Sequence, residues 1–199
     1  MPAGTMKRSK SEPKIELKAV ILAGGAKAAQ GNRPMLLQKL GDQTILEYVK
    51  ANALQVVAAE DLYVVVGDQQ KEMRALLGNR CHYVVQPQPQ GTGHAVQQLA
   101  PVLQGYQGNL LILYGDTPLF RPASIRGLLN RHALRQAHLT LLTAISPRPL
   151  PYGRIIRDAA GAIVNIIEET EASPAVRDIH ELNVGAYLVA APAIFAALE

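Results

Sequence analysis

Apolar and polar positions fall into short blocks along this chain, and the blocks change character near residue 145. Lys18 to Ala23 is a continuous apolar run that stops on Gly24 and Gly25, as a strand buried on both faces would. Leu62 to Val66, closed by Gly67, predicts the second strand, Cys81 to Val85 the third and Leu110 to Leu113 the fourth. Between them, helical spacing predicts helices over Thr44 to Ala58, with Ile45, Leu46, Val49 and Ala53 on one side, over Gln70 to Leu77 before Gly78-Asn79, and over Gly93 to Leu103. Pro122 to Arg135 continues the pattern as a helix and Leu139 to Ile145 as a fifth strand. Strand and helix alternating in this way predict an α/β fold: a Rossmann-like, doubly wound, mostly parallel sheet with right-handed crossovers. Beyond residue 145 come short strands, Arg154 to Arg157, Ala162 to Glu168 and Gly185 to Val189, which predict a small β-hairpin insertion over one end of the sheet.

Composition adds limits. Residues 1–14 are polar, basic and proline-containing and read as a disordered leader, leaving 15–199 as one domain. No apolar run has the length of a membrane span, and no apolar h-region opens the chain, so neither a membrane partner nor secretion is expected. Cys81 is the single cysteine, which fits a reducing cytoplasm. The net charge is +4, with several positive charges in the first 18 residues and few aromatics for base stacking, so nucleic acid is not an expected partner.

The chemistry concentrates in two places. Gln86 precedes Pro-Gln-Pro-Gln and then Gly91-Thr-Gly-His-Ala95, a polar loop opening into a helix. Gly91 and Gly93 let backbone approach a ligand, Thr92 offers a hydroxyl, and the helix start offers free N–H groups to an anion. The apolar run at Leu111 ends on Tyr114-Gly115-Asp116, which hangs a carboxylate beyond a buried strand, a fitting place for a divalent metal; capping the next helix is the plainer role for Asp116. The glycine turn after the first strand, Leu22-Ala23-Gly24-Gly25, is neither a P-loop, lacking Gly-Lys-Ser/Thr, nor a dinucleotide fingerprint, which disfavours an oxidoreductase. His94 reads as a packing or capping residue, and His82, His132, His138 and His180 as surface or half-buried side chains without partners at metal spacing.

In order, Leu22-Ala-Gly-Gly25, Arg33-Pro-Met-Leu-Leu, Gly41 to Val49, Gln86 with Gly91-Thr-Gly-His-Ala95, Tyr114-Gly-Asp116, Pro151-Tyr-Gly-Arg-Ile155, Ile167-Glu168 and Glu181-Leu-Asn-Val-Gly185 form one set. From about residue 18 onward the set resembles the nucleotidyltransferase domain of bacterial bifunctional UDP-N-acetylglucosamine pyrophosphorylases, within the sugar nucleotidyltransferase (MobA-like NTP transferase) superfamily. The resemblance implies an enzyme that joins UTP to N-acetylglucosamine 1-phosphate with Mg²⁺, releasing pyrophosphate, and it leaves room for a homo-oligomer. It implies nucleotide contacts from Leu22, Ala23, Gly24, Gly25, Gln86, Gly91, Thr92, Tyr114 and Gly115. Asp116 would be the metal ligand, and Gly153, Glu168 and Asn183 would hold the sugar. A carboxamide can donate to and accept from a pyrimidine edge, and carboxylate and carboxamide suit sugar hydroxyls.

The sequence also departs from that family. Where the family reads Gly-Thr-Arg-Met, this chain has Lys27-Ala28-Ala29-Gln30, and Met35 replaces the lysine after the proline. Those cations normally neutralise charge at the reacting phosphates. Lys27 and Arg33 lie in the same loop as candidate stand-in catalytic cations. Two expectations stay open: a working nucleotidyltransferase, or a binder of nucleotide sugar, as sensor or assembly part, that does not turn over. The chain contains no hexapeptide repeats, so the family's acetyltransferase half is not expected in it, and the domain reads as short at its C-terminus.

Overall fold

In the computed structural model, which describes residues 15–25, 34–68 and 70–199, the apolar runs become the centre of one sheet. Four strands are parallel neighbours in the order β5-β4-β1-β6: β1 is Leu17–Ala23, β4 Leu62–Val66, β5 His82–Val85 and β6 Asn109–Tyr114. All five residues of β4, and Val20 and Ile21 of β1, are buried, because helices cover both faces and leave no side for polar alternation. A two-stranded hairpin, β2 (Lys39–Leu40) with β3 (Gln43–Thr44), leads into α1 (Ile45–Ala53). Thr44 and Glu47 cap that helix reciprocally: the Thr44 hydroxyl accepts from Glu47 N–H, and the Glu47 carboxylate accepts from Thr44 N–H at 2.7 Å.

Helix α2 (Gln70–Leu77) crosses from β4 to β5, α3 (Thr92–Gln97) follows β5, and α4 (Pro122–Arg135) follows β6. The expected bounds of α2 and α4 are the observed ones. Two other helices are shorter than their spacing predicts. Helix α1 stops at Ala53 and not at residue 58, giving way to turns ahead of the β-branched pair Val56-Val57. Helix α3 stops at Gln97 and not at Leu103, because Pro101 has no N–H and disfavours helical backbone in the residue before it.

The second half corrects the expected topology. Gly185 to Val189 is not part of an insertion but the middle of a ten-residue strand, β10 (Glu181–Ala190), antiparallel to β6. The fifth predicted strand, β7 (Leu139–Ile145), joins the sheet only through β10, also antiparallel, so the sheet is mixed on this side. The hairpin itself is present: β8 (Arg154–Arg157) pairs with β9 (Ile163–Ile167) and meets β10 at Leu182. The short helix α5 (Pro174–Arg177) precedes β10, and α6 (Ala191–Ala197) follows it. The buried Arg154 guanidinium holds the hairpin root, pairing with Glu169 at 2.7 Å and donating to the carbonyls of Tyr152 and Arg177. A cation this buried persists because its donors are satisfied.

His132, expected at or near the surface, is buried. One ring nitrogen lies 2.9 Å from the Thr140 hydroxyl and the other 3.0 Å from Asn109 Oδ1, pinning α4 to β6 and β7 at the sheet edge opposite Asp116. Asn109 Oδ1 only accepts, so that nitrogen carries the proton and the other accepts from Thr140. Burial, and secondarily the nearby His138, hold His132 below its ordinary 6.5. The folded state therefore favours the neutral ring: its stabilisation is complete above about 6.5 and declines as pH falls through that value. The melting temperature is expected to drop on acidification below pH 6.5, and His132→Gln to flatten that drop. An unchanged acid slope in the variant, measured by thermal denaturation, would place the linkage elsewhere.

Candidate active site

The parallel strands reverse their order at β1: the chain runs outward to β4 and β5, then returns to lay β6 on the other side of β1. The crevice beyond the carboxyl ends of β1 and β6 is the place where open α/β sheets bind ligands. A cavity of about 260 Å³ opens there, lined by Leu22, Ala23, Gly24 and Gly25 from the end of β1, Gln86, Gly91 and Thr92 from the β5–α3 connection, and Tyr114 and Asp116 from the end of β6. Of the described residues expected to touch nucleotide or metal, only Gly115 is not in its lining. Gly115 lies beneath it, donating its N–H to the Leu22 carbonyl at 3.0 Å. Lys27 and Arg33 lie outside the described residues, as does the 1–14 leader.

The cavity floor is made by backbone. A Cβ on Gly67 would stand 2.6 Å from the Gly24 carbonyl oxygen, and one on Gly115 2.9 Å from the Leu22 carbonyl oxygen. Gly91 has φ +102, which a side chain would strain, and its carbonyl accepts the first bond of α3 from Ala95 N–H.

Above that floor, Gln86 is buried and fully engaged at its nitrogen. Its Nε2 donates to the Gly91 carbonyl at 3.2 Å and lies 2.9 Å from His94 Nδ1. Met35, Leu36, Pro89 and Ala95 complete the wall. Met35 thus lines the cavity with an apolar thioether where the resemblance expects a lysine. Asp116 is exposed at the rim and does not cap α4, whose N-cap position is Arg121. Among the described residues no group of three or more His, Cys, Asp or Glu side chains gathers as a metal cage. One exposed carboxylate at the rim does fit Mg²⁺ in its usual mode, held by one or two carboxylates, water and substrate phosphate.

The three residues expected at the sugar also come together, beside the cavity and outside its lining. The Glu168 carboxylate lies over Gly153, where a Cβ would meet both of its oxygens at 3.3 Å. Asn183 N–H donates to the Gly153 carbonyl at 2.8 Å, and Asn183 Oδ1 accepts from the Tyr187 hydroxyl at 2.7 Å. Burial first, then the neighbouring Tyr114, push the Tyr187 hydroxyl far above its usual range, so it remains a donor. With Oδ1 taken, Nδ2 of Asn183 is its remaining polar group.

Tyr187 and Tyr114 join this group to the cavity, their hydroxyls 3.4 Å apart. The Tyr114 ring lies against Gly185, which has φ +73 at the bulge of β10 and whose Cβ would stand 2.4 Å from Tyr114 Cδ2. Tyr187 and Met35 are thus parts of the site that spacing did not single out as contacts. For Tyr187 the available signal was its strand parity with Asn183, four residues apart on one face of an extended strand.

The geometry agrees with the relationships of the chain. Curated relatives named bifunctional protein GlmU include one from Streptococcus equi subsp. zooepidemicus, 38% identical over 182 residues, covering 91% of this chain and 39% of that protein. The one from Synechococcus elongatus is 39% identical over 182 residues, covering 90% of this chain and 40% of that protein. The chain thus spans about two fifths of the length of the relatives it matches. Among solved structures, a UDP-glucose pyrophosphorylase complexed with UDP-glucose superposes with a TM-score of 0.73 over 91% of this chain and 78% of that one, at 17% identity, a likeness of fold. The same enzyme type without ligand gives 0.73 over 92% and 79%, at 16% identity. Residues 19–184 match the family model for the MobA-like NTP transferase domain, and the chain belongs to that family of nucleotidyltransferases.

Proposed function

We propose that this chain binds a uridine nucleotide in the cavity and an N-acetylglucosamine moiety at Gly153, Glu168 and Asn183, and that it joins UTP to N-acetylglucosamine 1-phosphate in the cytoplasm. The observation that carries the reading is the continuity of two sites: a crevice at the switch point of the sheet, tied through Tyr114 and Tyr187 to a carboxylate–carboxamide pair suited to sugar hydroxyls. In the reaction, an oxygen of the sugar phosphate bonds to the α-phosphorus of UTP while the bond from that phosphorus to the pyrophosphate oxygen breaks. Pyrophosphate leaves with the electron pair.

The chain's contribution is positioning and charge. The Gln86 oxygen and the backbone at Gly91 and Thr92 hold the uracil edge, and the close-packed Leu22–Gly25 turn leaves room for phosphates. Asn183 and Glu168 orient the sugar so that its phosphate lies in line with the leaving group. Asp116 would hold Mg²⁺, which supplies neutralising charge to the phosphates when bound. Lys27 and Arg33 are the proposed stand-in cations.

A second reading has its own observation. Met35 puts an apolar side chain on the cavity wall at the family's lysine position, so a chain that binds nucleotide sugar with little or no turnover is the alternative.

Two experiments separate the possibilities. Asp116→Asn should abolish the Mg²⁺-dependent strengthening of UDP-N-acetylglucosamine binding in calorimetry, since a carboxamide lacks the charge a hard cation needs. A variant that still responds fully to Mg²⁺ would remove Asp116 from the metal. In a pyrophosphate-release assay, the natural chain is expected to be slow, and Ala29→Arg with Met35→Lys to raise its rate by on the order of a hundredfold or more. Robust native activity that Lys27→Ala or Arg33→Ala destroys would instead show that the stand-in cations suffice. Native and restored proteins that bind the nucleotide sugar yet both stay inert would favour the binder.

A further inference from the structure

The Gln86 carboxamide has a fixed orientation. Its Nε2 has two hydrogens: one goes to the Gly91 carbonyl at 3.2 Å, and the other points at His94 Nδ1 at 2.9 Å. The Gly91 carbonyl can only accept, so the amide nitrogen and not the oxygen must face it. His94 Nδ1 must then offer a lone pair, which puts the ring proton on Nε2. Gln98 lies on the far side of the ring with its carboxamide 3.1 Å from Nε2. Gln98 Nε2 also donates to the His94 carbonyl at 3.2 Å, but Gln98 is half-buried, so water can replace that bond and let its carboxamide turn to accept from Nε2–H. Gln86, buried and tied to Gly91, serves one.

The consequence falls on the atom left over. Gln86 Oε1 points at Gly24, where a Cβ would stand 2.5 Å from it, and among the described residues no donor reaches it. An acceptor is therefore presented at the wall of the cavity with its partner missing. An acceptor held there attracts a ring N–H and repels a ring nitrogen lone pair.

Resting on the nucleotide reading above, we propose that His94 is a positioning residue: it locks Gln86 with its oxygen towards the ligand, and so makes the site select a pyrimidine with an imide N–H, uracil or thymine, against cytosine. Cytosine carries a lone pair at that ring nitrogen, so the same geometry leaves Gln86 unpaired and faces two acceptors at each other. Removing the imidazole lone pair takes away the shorter of the two holds and leaves the 3.2 Å bond to the Gly91 carbonyl alone, so a turn of the amide, which presents N–H donors that suit cytosine as well, costs less. Discrimination then rests on His94 together with the Gly91 carbonyl, and His94 need not touch the base.

The test compares UTP and CTP binding by calorimetry in the natural protein, in His94→Leu and in His94→Asn, whose side-chain oxygen can replace Nδ1 as acceptor. The natural protein should prefer UTP about tenfold or more, the order expected when a buried acceptor loses its donor. His94→Asn should keep that preference, and His94→Leu should reduce it to a few-fold or less. A purely structural histidine would weaken both nucleotides equally and leave the ratio intact, which would overturn the proposal, as would loss of the ratio in His94→Asn.

A second measurement needs no variant and no ligand. Long-range ¹⁵N–¹H spectra of the natural protein should show His94 with Nδ1 bare and Nε2 protonated, and the opposite tautomer would overturn the proposal even if His94→Leu fails to fold. If the natural protein binds neither nucleotide, the nucleotide reading falls and takes this proposal with it. If it binds both equally with Nδ1 bare, the nucleotide reading stands and the claim about His94 alone is wrong.

Discussion

Gly67 brings its backbone so near the Gly24 carbonyl that a methyl group in between would stand 2.6 Å from the oxygen, and Gly115 does the same against Leu22 at 2.9 Å. These contacts occur just past the ends of three neighbouring parallel strands, β4, β1 and β6. A Cβ at either position would have to be relieved by moving backbone, because the opposing atom is a carbonyl oxygen and not the tip of a flexible side chain. The sheet edge can therefore close on itself and still leave a crevice above. Everything else in the candidate site is placed relative to that edge: Gln86 continues from β5, Asp116 from β6, and the Leu22–Gly25 turn from β1.

A second constraint organises the other side of the site. Strand β10 enters the sheet antiparallel beside β6 and carries both Asn183 and Tyr187 on its course. A regular strand there would drive a side chain at residue 185 into the Tyr114 ring. Glycine with φ +73 removes the side chain, and the pairing with β7 shifts register across the same residues. The bulge thus seats Tyr114 and brings the Tyr187 hydroxyl to Asn183. The two halves of the site are coupled through the hydroxyls of two half-buried tyrosines and not through charge. That arrangement keeps the Asn183 carboxamide oriented without a titrating partner that would make its orientation depend on pH.

Most of the parallel core was legible in the sequence because β1, β4 and β6 are largely buried on both faces, which writes them as apolar runs bounded by turn residues, and the edge strand β5 still carries the β-favouring Tyr83-Val84-Val85. The bounds of α2 and α4 were legible for a similar reason, with Gly78 and Pro122 punctuating their ends. Strand β10 was not, since Glu181, Asn183 and Gly185 interrupt its apolar pattern, and its place in the middle of the sheet is decided by pairing partners far away in the chain. His132 was misplaced because burial of one position on an amphipathic helix depends on what β7 lays against it. The residues of the site were legible as a set through the order of their motifs, whereas their connections were not. No spacing rule tells that Tyr187 bridges Asn183 to Tyr114, or that a carbonyl and an imidazole together fix which end of Gln86 faces the cavity.

That last point bears on how a neutral site can be selective. A carboxamide is ambivalent: end for end it offers either donor or acceptor, and alone it would accept uracil and cytosine with little difference. Selectivity requires that one orientation be made costly, and the cost has to come from groups that cannot adapt. The Gly91 carbonyl is such a group, being part of the turn that starts α3 at a φ only glycine adopts easily. The glycine that shapes the loop thus shares with His94 the task of fixing the polarity of the glutamine beside it. Replacing a residue in this loop would then act through two routes, the path of the backbone and the orientation of Gln86. Only changes to the imidazole separate them, because they leave the backbone path and its carbonyl in place.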